Sequence, residues 1–208
     1  MKSVESAEST VPLSDRLHPN PRQRLIDALA ASITDVGYSA TTVADIVRLA
    51  RTSRRTFYEY FTDREACLVA LLTDTNRRAV ETISGAVDPT APWETQIRQA
   101  VQAWVANAES RPAVMLSWIR DVPALGMAAR ELQREVTESF IAMVRTLSDT
   151  EELRAAGIPM VSRQRALMLI GGLRELTAVT VESGGRMSDV TDEAVDAAIA
   201  LLGPPRSG

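Results

Sequence analysis

Arg48, Arg51, Arg54 and Arg55 crowd into residues 48–55, and the aromatic run Phe57-Tyr58-Glu59-Tyr60-Phe61 follows at once. No acidic residue occurs from Ile46 to Tyr58, in a chain whose formal charge is −4. Arginine carries a planar fork of donors that bonds guanine O6 and N7 together, and a helix fits a major groove about 12 Å wide. A helix opening after Ser53 presents Arg54, Arg55 and Thr56 in its first turn, and Thr56 offers a base either a hydroxyl or a methyl. Phe57 and Phe61 lie four apart and are expected to anchor that helix inward, leaving Tyr58 and Tyr60 to reach phosphate or base edges. Glu59 is expected to pair with Arg55, four residues before it. Thr41 or Thr42, and Arg64, stand at the starts of neighbouring helices, where free amides and the helix dipole favour phosphate. The bland alternative is a solvated arginine face over ordinary core aromatics. For Phe57 and Phe61 that alternative is accepted; for the arginines the missing acids argue against it.

Other chemistries find little support. Cys67 is the single cysteine and His18 the single histidine, so a disulfide, a cysteine metal cluster and a Ser-His-Asp triad have no material. Cys67 reads as a small hydrophobe inside a helix. An enzyme would need paired titratable groups deep in a cavity. Asp121, Glu131 and Glu135 are the inward options, and the helical pattern places them mostly on a polar face. No catalytic residue, metal or cofactor is therefore expected.

The charge is unevenly spread. Residues 20–65 set seven arginines (Arg22, Arg24, Arg48, Arg51, Arg54, Arg55, Arg64) against six acids (Asp27, Asp35, Asp45, Glu59, Asp63, Glu65), while the remainder is acidic. A basic spot on an acidic body suits a module that meets phosphate at one end. With 208 residues and 45% hydrophobic content, the chain can bury a substantial core. No apolar run reaches the ~18 residues of a membrane span, and the N-terminus lacks a signal-peptide core, which points to the cytoplasm and to no membrane partner.

The elements that must position the cluster are helical. Residues 1–19 are polar and read as a flexible arm. Asn20 with Pro21 and Gln23 starts a helix over about 21–36, lined by Leu25, Ile26, Leu29, Ile33 and Val36 and stopped by a left-handed Gly37. Thr41 or Thr42 caps a short helix with Val43, Ile46, Val47 and Leu49 inward. Ser53 caps the arginine-bearing helix, and two short helices joined by so tight a turn form a helix-turn-helix. Thr62 with Glu65 makes a capping box for a helix running to about Val87. Five further helical segments are expected at about 93–109, 112–120, 123–148, 162–182 and 188–202, broken by prolines and glycines. No strand pattern and no repeat is found, so the fold class is all-α: a three-helix DNA-binding domain (20–66) and a larger helical domain (67–208), about nine helices together.

Helix one ending in Gly37-Tyr38, then "TTVADIV", the short turn, "TFYEYF" and "DREACLVALL" closely resemble the N-terminal domain of TetR-family transcriptional regulators. The resemblance covers about residues 21–72. It implies phosphate contacts from Thr42 and Tyr58, base contacts from Arg54, Arg55, Thr56 and Tyr60, and a phosphate-seeking role for Arg64, where the family usually has lysine. One departure stands out. The turn usually reads Ala-Gly-Val-Ser, and here it is Ala50-Arg51-Thr52-Ser53. Either the turn differs locally, or a left-handed Arg51 costs about 1 kcal/mol relative to glycine, tolerated because Arg51 adds a DNA contact.

In the same resemblance the larger domain encloses an effector pocket. Tryptophan and methionine suit apolar ligands, which makes Trp104, Met115, Trp118, Met127, Phe140, Met143 and Met168 the pocket candidates. The segment from Ala166 to Leu173 is apolar nearly all round and must be buried on more than one side. Its Gly171-Gly172 pair would suit close approach of another helix. With Leu169, Gly172, Leu173, Leu176, Val195, Ile199 and Leu202, the last two helices are expected to form half of a four-helix dimer interface. The implied function is a homodimeric, ligand-responsive regulator, most often a repressor, on double-stranded operator DNA with half-sites about 34 Å apart or somewhat wider. The alternatives are a DNA-binding regulator or architectural protein without an effector, which a fully packed larger domain would favour, and an all-helical enzyme.

Overall fold

The computed structural model describes residues 20–204; the arm expected over residues 1–19 lies outside them. Ten α-helices follow one another: α1 (Pro21–Val36), α2 (Val43–Leu49), α3 (Arg54–Tyr60), α4 (Arg64–Ala86), α5 (Trp93–Ser110), α6 (Pro112–Arg120), α7 (Met127–Leu147), α8 (Glu151–Ala155), α9 (Arg163–Glu182) and α10 (Thr191–Leu202). Among the described residues there is no strand, and no helix is long and apolar enough to cross a membrane.

Local chemistry sets the helix starts. Asn20 Oδ1 accepts the amide of Arg22 at 3.0 Å, with Pro21 in the first helical position, so α1 begins as expected. The Gln23 amide, however, donates to Asp27 instead of closing a capping box. Gly37 ends α1 with φ 79°, as expected. Thr42 and Asp45 form a reciprocal capping box on α2. For α4 the cap is Asp63, whose carboxylate accepts the Ala66 amide at 2.7 Å; the box expected between Thr62 and Glu65 does not form. Thr62 donates its hydroxyl to Asp63, and the ionised acceptor wins the free amide.

Leu25, Leu29, Ile46, Phe57 and Leu68 are fully buried and tie α1, α2, α3 and the start of α4 into one small core. α4 is the common wall of the molecule. It packs on α1, α5 and α7, and at 23 residues it spans roughly 34 Å. The boundary expected after residue 66 therefore falls inside an unbroken helix. Further on, α6 and α7 pack on α9, while α10 lies mainly against α5.

Two expectations about the larger part need correction. The helix expected over 123–148 begins only at Met127, because Pro123 and Gly126 break the chain and Val122–Ala124 forms a single 3-10 turn. α8 was not expected at all. It is one turn long, capped by Thr150, and it delivers Leu153 to the interior. Gly157, at φ 74°, turns the chain back so that Ile158 is buried as well.

Arg120, at the end of α6, grips α9 with a forked set of bonds, to Glu175 at 2.9 and 3.0 Å and to Glu182 at 2.7 and 3.1 Å. These bonds hold both carboxyls below the usual glutamate range. Cys67, by contrast, is buried with no exposed surface, and burial pushes its thiol up to about 12. It is an inert hydrophobe at neutral pH.

Phe57 is the keystone of the small N-terminal core, with zero exposure. Phe57→Ala is expected to destabilise that core by about 3–5 kcal/mol, seen as a lower urea midpoint by circular dichroism.

Candidate functional site

The arginine-bearing surface is assembled by the turn between α2 and α3. The Thr52 amide donates to Val47 O at 3.0 Å and the Arg51 amide to Arg48 O at 3.2 Å. That pair of bonds closes α2 as a Schellman motif, which requires a left-handed residue at position 51. Arg51 meets the requirement with φ 49°, the sole positive φ at a non-glycine among the described residues. The strain anticipated from the missing glycine is present.

Ser53 then starts α3. Its Oγ accepts the Thr56 amide at 3.0 Å and lies 3.0 Å from the Thr56 hydroxyl. Phe57 and Phe61 are buried with ring centroids 5.7 Å apart, so α3 is bolted to the core along one face. Arg54, Arg55, Tyr58, Glu59 and Tyr60 occupy the free face. Arg55 Nε donates to Glu59 Oε1 at 3.2 Å, the pairing expected from their spacing. Both side chains are solvent-exposed, and such a pair is worth about 0.3–0.5 kcal/mol. A bidentate contact with guanine is worth roughly 1–3 kcal/mol, enough to break the pair.

The second feature is a cavity of about 70 Å³ in the larger part, walled by α4, α5, α7, α8, α9 and α10. Its lining is almost wholly apolar, including Ile97, Trp104, Phe140, Met143 and Leu169, with Gln96 and Ser148 among its few polar neighbours. Trp104 and Phe140 meet edge to face at 5.4 Å and are shared with a smaller chamber of about 20 Å³ that also touches Trp118.

Residues 25–71 match the family model described as bacterial regulatory proteins, tetR family. The N-terminal part of the chain thus carries the tetR-family DNA-binding module. It is 27% identical over 165 residues to the HTH-type transcriptional regulator BetI of Cronobacter sakazakii, covering 76% of this chain and 82% of that protein. The fold is similar to the fatty acid degradation regulator FadR from Bacillus halodurans, with TM-score 0.76 and 17% identity over 92% of this chain and 99% of that one. It is also similar to the transcriptional regulator FadR from Bacillus subtilis, solved in complex with stearoyl-CoA, with TM-score 0.73 and 15% identity over 86% and 97% of the respective chains. Over most of its length the chain is thus similar to regulators of transcription, with a helix-turn-helix at its N-terminal end.

Several residues of this regulator sit elsewhere than the sequence suggested. Thr41 has no exposed surface; its hydroxyl donates to Gly37 O at 2.8 Å and meets Ser32 Oγ at 2.9 Å. It braces the loop between α1 and α2 and cannot touch DNA. Thr42 is exposed, though both its donors are taken by Asp45, at 3.1 Å from the amide and 2.6 Å from the hydroxyl. Those bonds hold the Asp45 carboxyl below its usual range. Arg64 is turned inward. Its guanidinium stacks 4.3 Å from the Tyr38 ring centroid and donates to the carbonyls of Tyr38 and Thr41. In the free chain it is a clamp between α4 and the loop before α2, not an open phosphate ligand.

In the larger part, Trp104, Phe140 and Met143 do line the apolar cavity, and Met115 and Trp118 line the smaller chamber beside it. Met127 is 85% exposed at the start of α7, and Met168 is 61% exposed on the outer face of α9; neither reaches a cavity. Conversely, Leu169, Leu173 and Leu202, expected at a partner surface, line the apolar cavity. Val195 is fully buried because α10 lays its Ala194, Val195, Ala198 face on α5. Leu176 and Ile199 are half-buried and pack on the core, leaving Gly172 as the expected interface residue that is plainly exposed. Leu153, on the one-turn α8, is the lining residue no periodicity could have revealed.

Arg51→Gly is expected to raise stability by about 1 kcal/mol, read as a higher urea midpoint. If Arg51 also meets a phosphate, the same variant weakens operator binding and flattens its salt dependence.

Proposed function

We propose that this regulator is a homodimeric repressor whose residues 20–66 hold operator DNA and whose larger domain releases it on binding an apolar or amphipathic effector. The observation that carries the reading is the position of α4. Its far end, at Ile83 and Val87, lines the apolar cavity, and its near end carries the Arg64 clamp on the helix-turn-helix. At about 70 Å³ the cavity is far below the 300–1,000 Å³ of typical ligand sites, so an effector must push helices apart to enter. A ligand that binds the opened state better than the closed one shifts the equilibrium, and α4 transmits the opening as a tilt of the DNA-binding head. The stearoyl-CoA bound by FadR from Bacillus subtilis supports an elongated apolar moiety as the kind of ligand such a fold accepts. An internal apolar cavity also counts against the effector-free alternative.

On the DNA side, Arg51, Arg54, Arg55, Thr56 and Tyr60 read or flank the bases, while Thr42, Ser53 and Tyr58 address phosphate. Pairing of two copies is assigned to α9 alone. Leu167, Met168 and Val179 are exposed there, and a Cβ at Gly171 or Gly172 would meet nothing within 4 Å. Two mid-helix glycines cost roughly 1 kcal/mol each against alanine, and nothing inside the protomer requires them. Close approach of the same helix from a second copy does. The interface is thus rotated outward from Leu169 and Leu173, toward Met168 and Gly172.

Footprinting the purified protein on DNA flanking its own gene is expected to show a pseudopalindrome, with protection lost as effector is added. Tyr58→Phe should weaken binding to every sequence alike, whereas Arg55→Ala should cost roughly 1–3 kcal/mol and relax discrimination at one base pair; a uniform loss from both would refute the assignment. Gly172→Leu should leave the helical circular-dichroism spectrum intact and turn a dimer into a monomer in sedimentation equilibrium. An unchanged mass would place the interface elsewhere.

A further inference from the structure

The inner face of α9 carries one charge. Ala166, Ile170 and Ala178 are buried, and Arg174 occupies the same four-residue row between the last two. Its Nε is buried without a hydrogen-bond partner among the described residues, and the guanidinium makes no ion pair there. The adjacent Glu175 is engaged by Arg120. Burial pulls the Arg174 guanidinium below its usual range. A half-buried cation with no anion is costly, and an anionic ligand is a partner that would offset that cost.

What surrounds Arg174 says what that partner is. The guanidinium carbon lies 5.9 Å from the Trp118 ring centroid, and the chamber of about 20 Å³ that it lines adds Asn76 and Asn107. That chamber shares Trp104, Phe140 and Ile170 with the apolar cavity on one side. On the other side it shares Asn76, Asn107 and Trp118 with a cleft of mixed polar and apolar lining, about 150 Å³, between α1, α4, α5 and α6. Surface cleft, cationic chamber and apolar cavity thus lie in series, with the Trp104–Phe140 pair as the partition between the last two.

We infer that the effector is an amphipathic anion, its head bonded to Arg174 in the chamber beside Trp118 and its chain passing the Trp104–Phe140 pair into the apolar cavity. This rests on the cavity being the effector site, as proposed above, and adds the charge and orientation of the ligand. Head-group binding fills the chamber next to α6, which packs on α1, so the anion acts where the body meets the DNA-binding head.

The full-length protein is titrated with dodecanoate, dodecyl phosphate and dodecanol, all below their micellar concentrations, following tryptophan fluorescence and calorimetry. Either or both anions are expected to bind at least about tenfold tighter than the alcohol, as a charge-assisted bond to a desolvated arginine supplies. Which anion is tighter tells carboxylate from phosphate. Arg174→Gln should erase the preference for the anion, leave dodecanol affinity unchanged and keep or raise the thermal midpoint, while Arg174→Lys restores part of the preference. Equal binding of alcohol and anions by the wild type would overturn the anionic head while leaving the apolar site standing. Loss of alcohol and anion together in Arg174→Gln would show a structural arginine and overturn it too. Binding of none of the three would overturn the apolar-effector reading itself.

Discussion

The clamp of Arg64 on the loop ahead of α2 is the interaction on which the rest depends. One guanidinium stacks on Tyr38 and donates to two backbone carbonyls, at Tyr38 and Thr41. Those carbonyls belong to a loop whose hydroxyl brace, Ser32 to Thr41 to Gly37, is itself buried. The first residue of α4 is thereby fastened to the segment that positions α2, and through the turn at Arg51, to α3. A cation bonded to buried carbonyls leaves unsatisfied groups if it lets go, so the joint is stiff. In the proposed release mechanism, movement of α4 would be conveyed to α3 instead of being absorbed at a hinge.

Stiffness at that joint contrasts with softness at the other end of α4. Ile83 and Val87 border an apolar void, where neighbours lack full van der Waals contact and displacement is cheap. One helix thus has a firm attachment to the helix-turn-helix and a loose one to the larger helical part. That asymmetry suits the proposed ligand control, in which a small disturbance at the void would become a rigid-body change at the head.

Much of this was legible because it is written locally. The caps at Asn20, Thr42 and Ser53, the buried Phe57 and Phe61, the Arg55–Glu59 pair and the left-handed Arg51 all follow from residues within a few positions of one another. What escaped depends on phase or on distant partners. α9 is apolar on nearly every side between Ala166 and Leu173, so its sequence does not say which leucines face inward; Met168 and Leu173 were consequently exchanged. Thr62 and Asp63 are both competent caps, and only the position of the Ala66 amide separates them. Thr41 and Arg64 stand at helix starts that suggest phosphate, and only the packing of α1 against α4 shows them turned to neighbouring backbone. Arg174 did leave a trace, a lone charge in the 166–170–174–178 row.

The bonds from Arg120 to Glu175 and Glu182 have a consequence for assembly. In the proposed pair through α9, these carboxylates would stand on the helix that makes the contact, and left bare they would bring like charge to it from both copies. Because Arg120 pairs with both glutamates within one chain, that repulsion would be muted in the proposed pair. The proposed contact would then rest on shape and apolar area, and association of two copies should vary little with ionic strength, in contrast with the steep salt sensitivity expected of DNA binding.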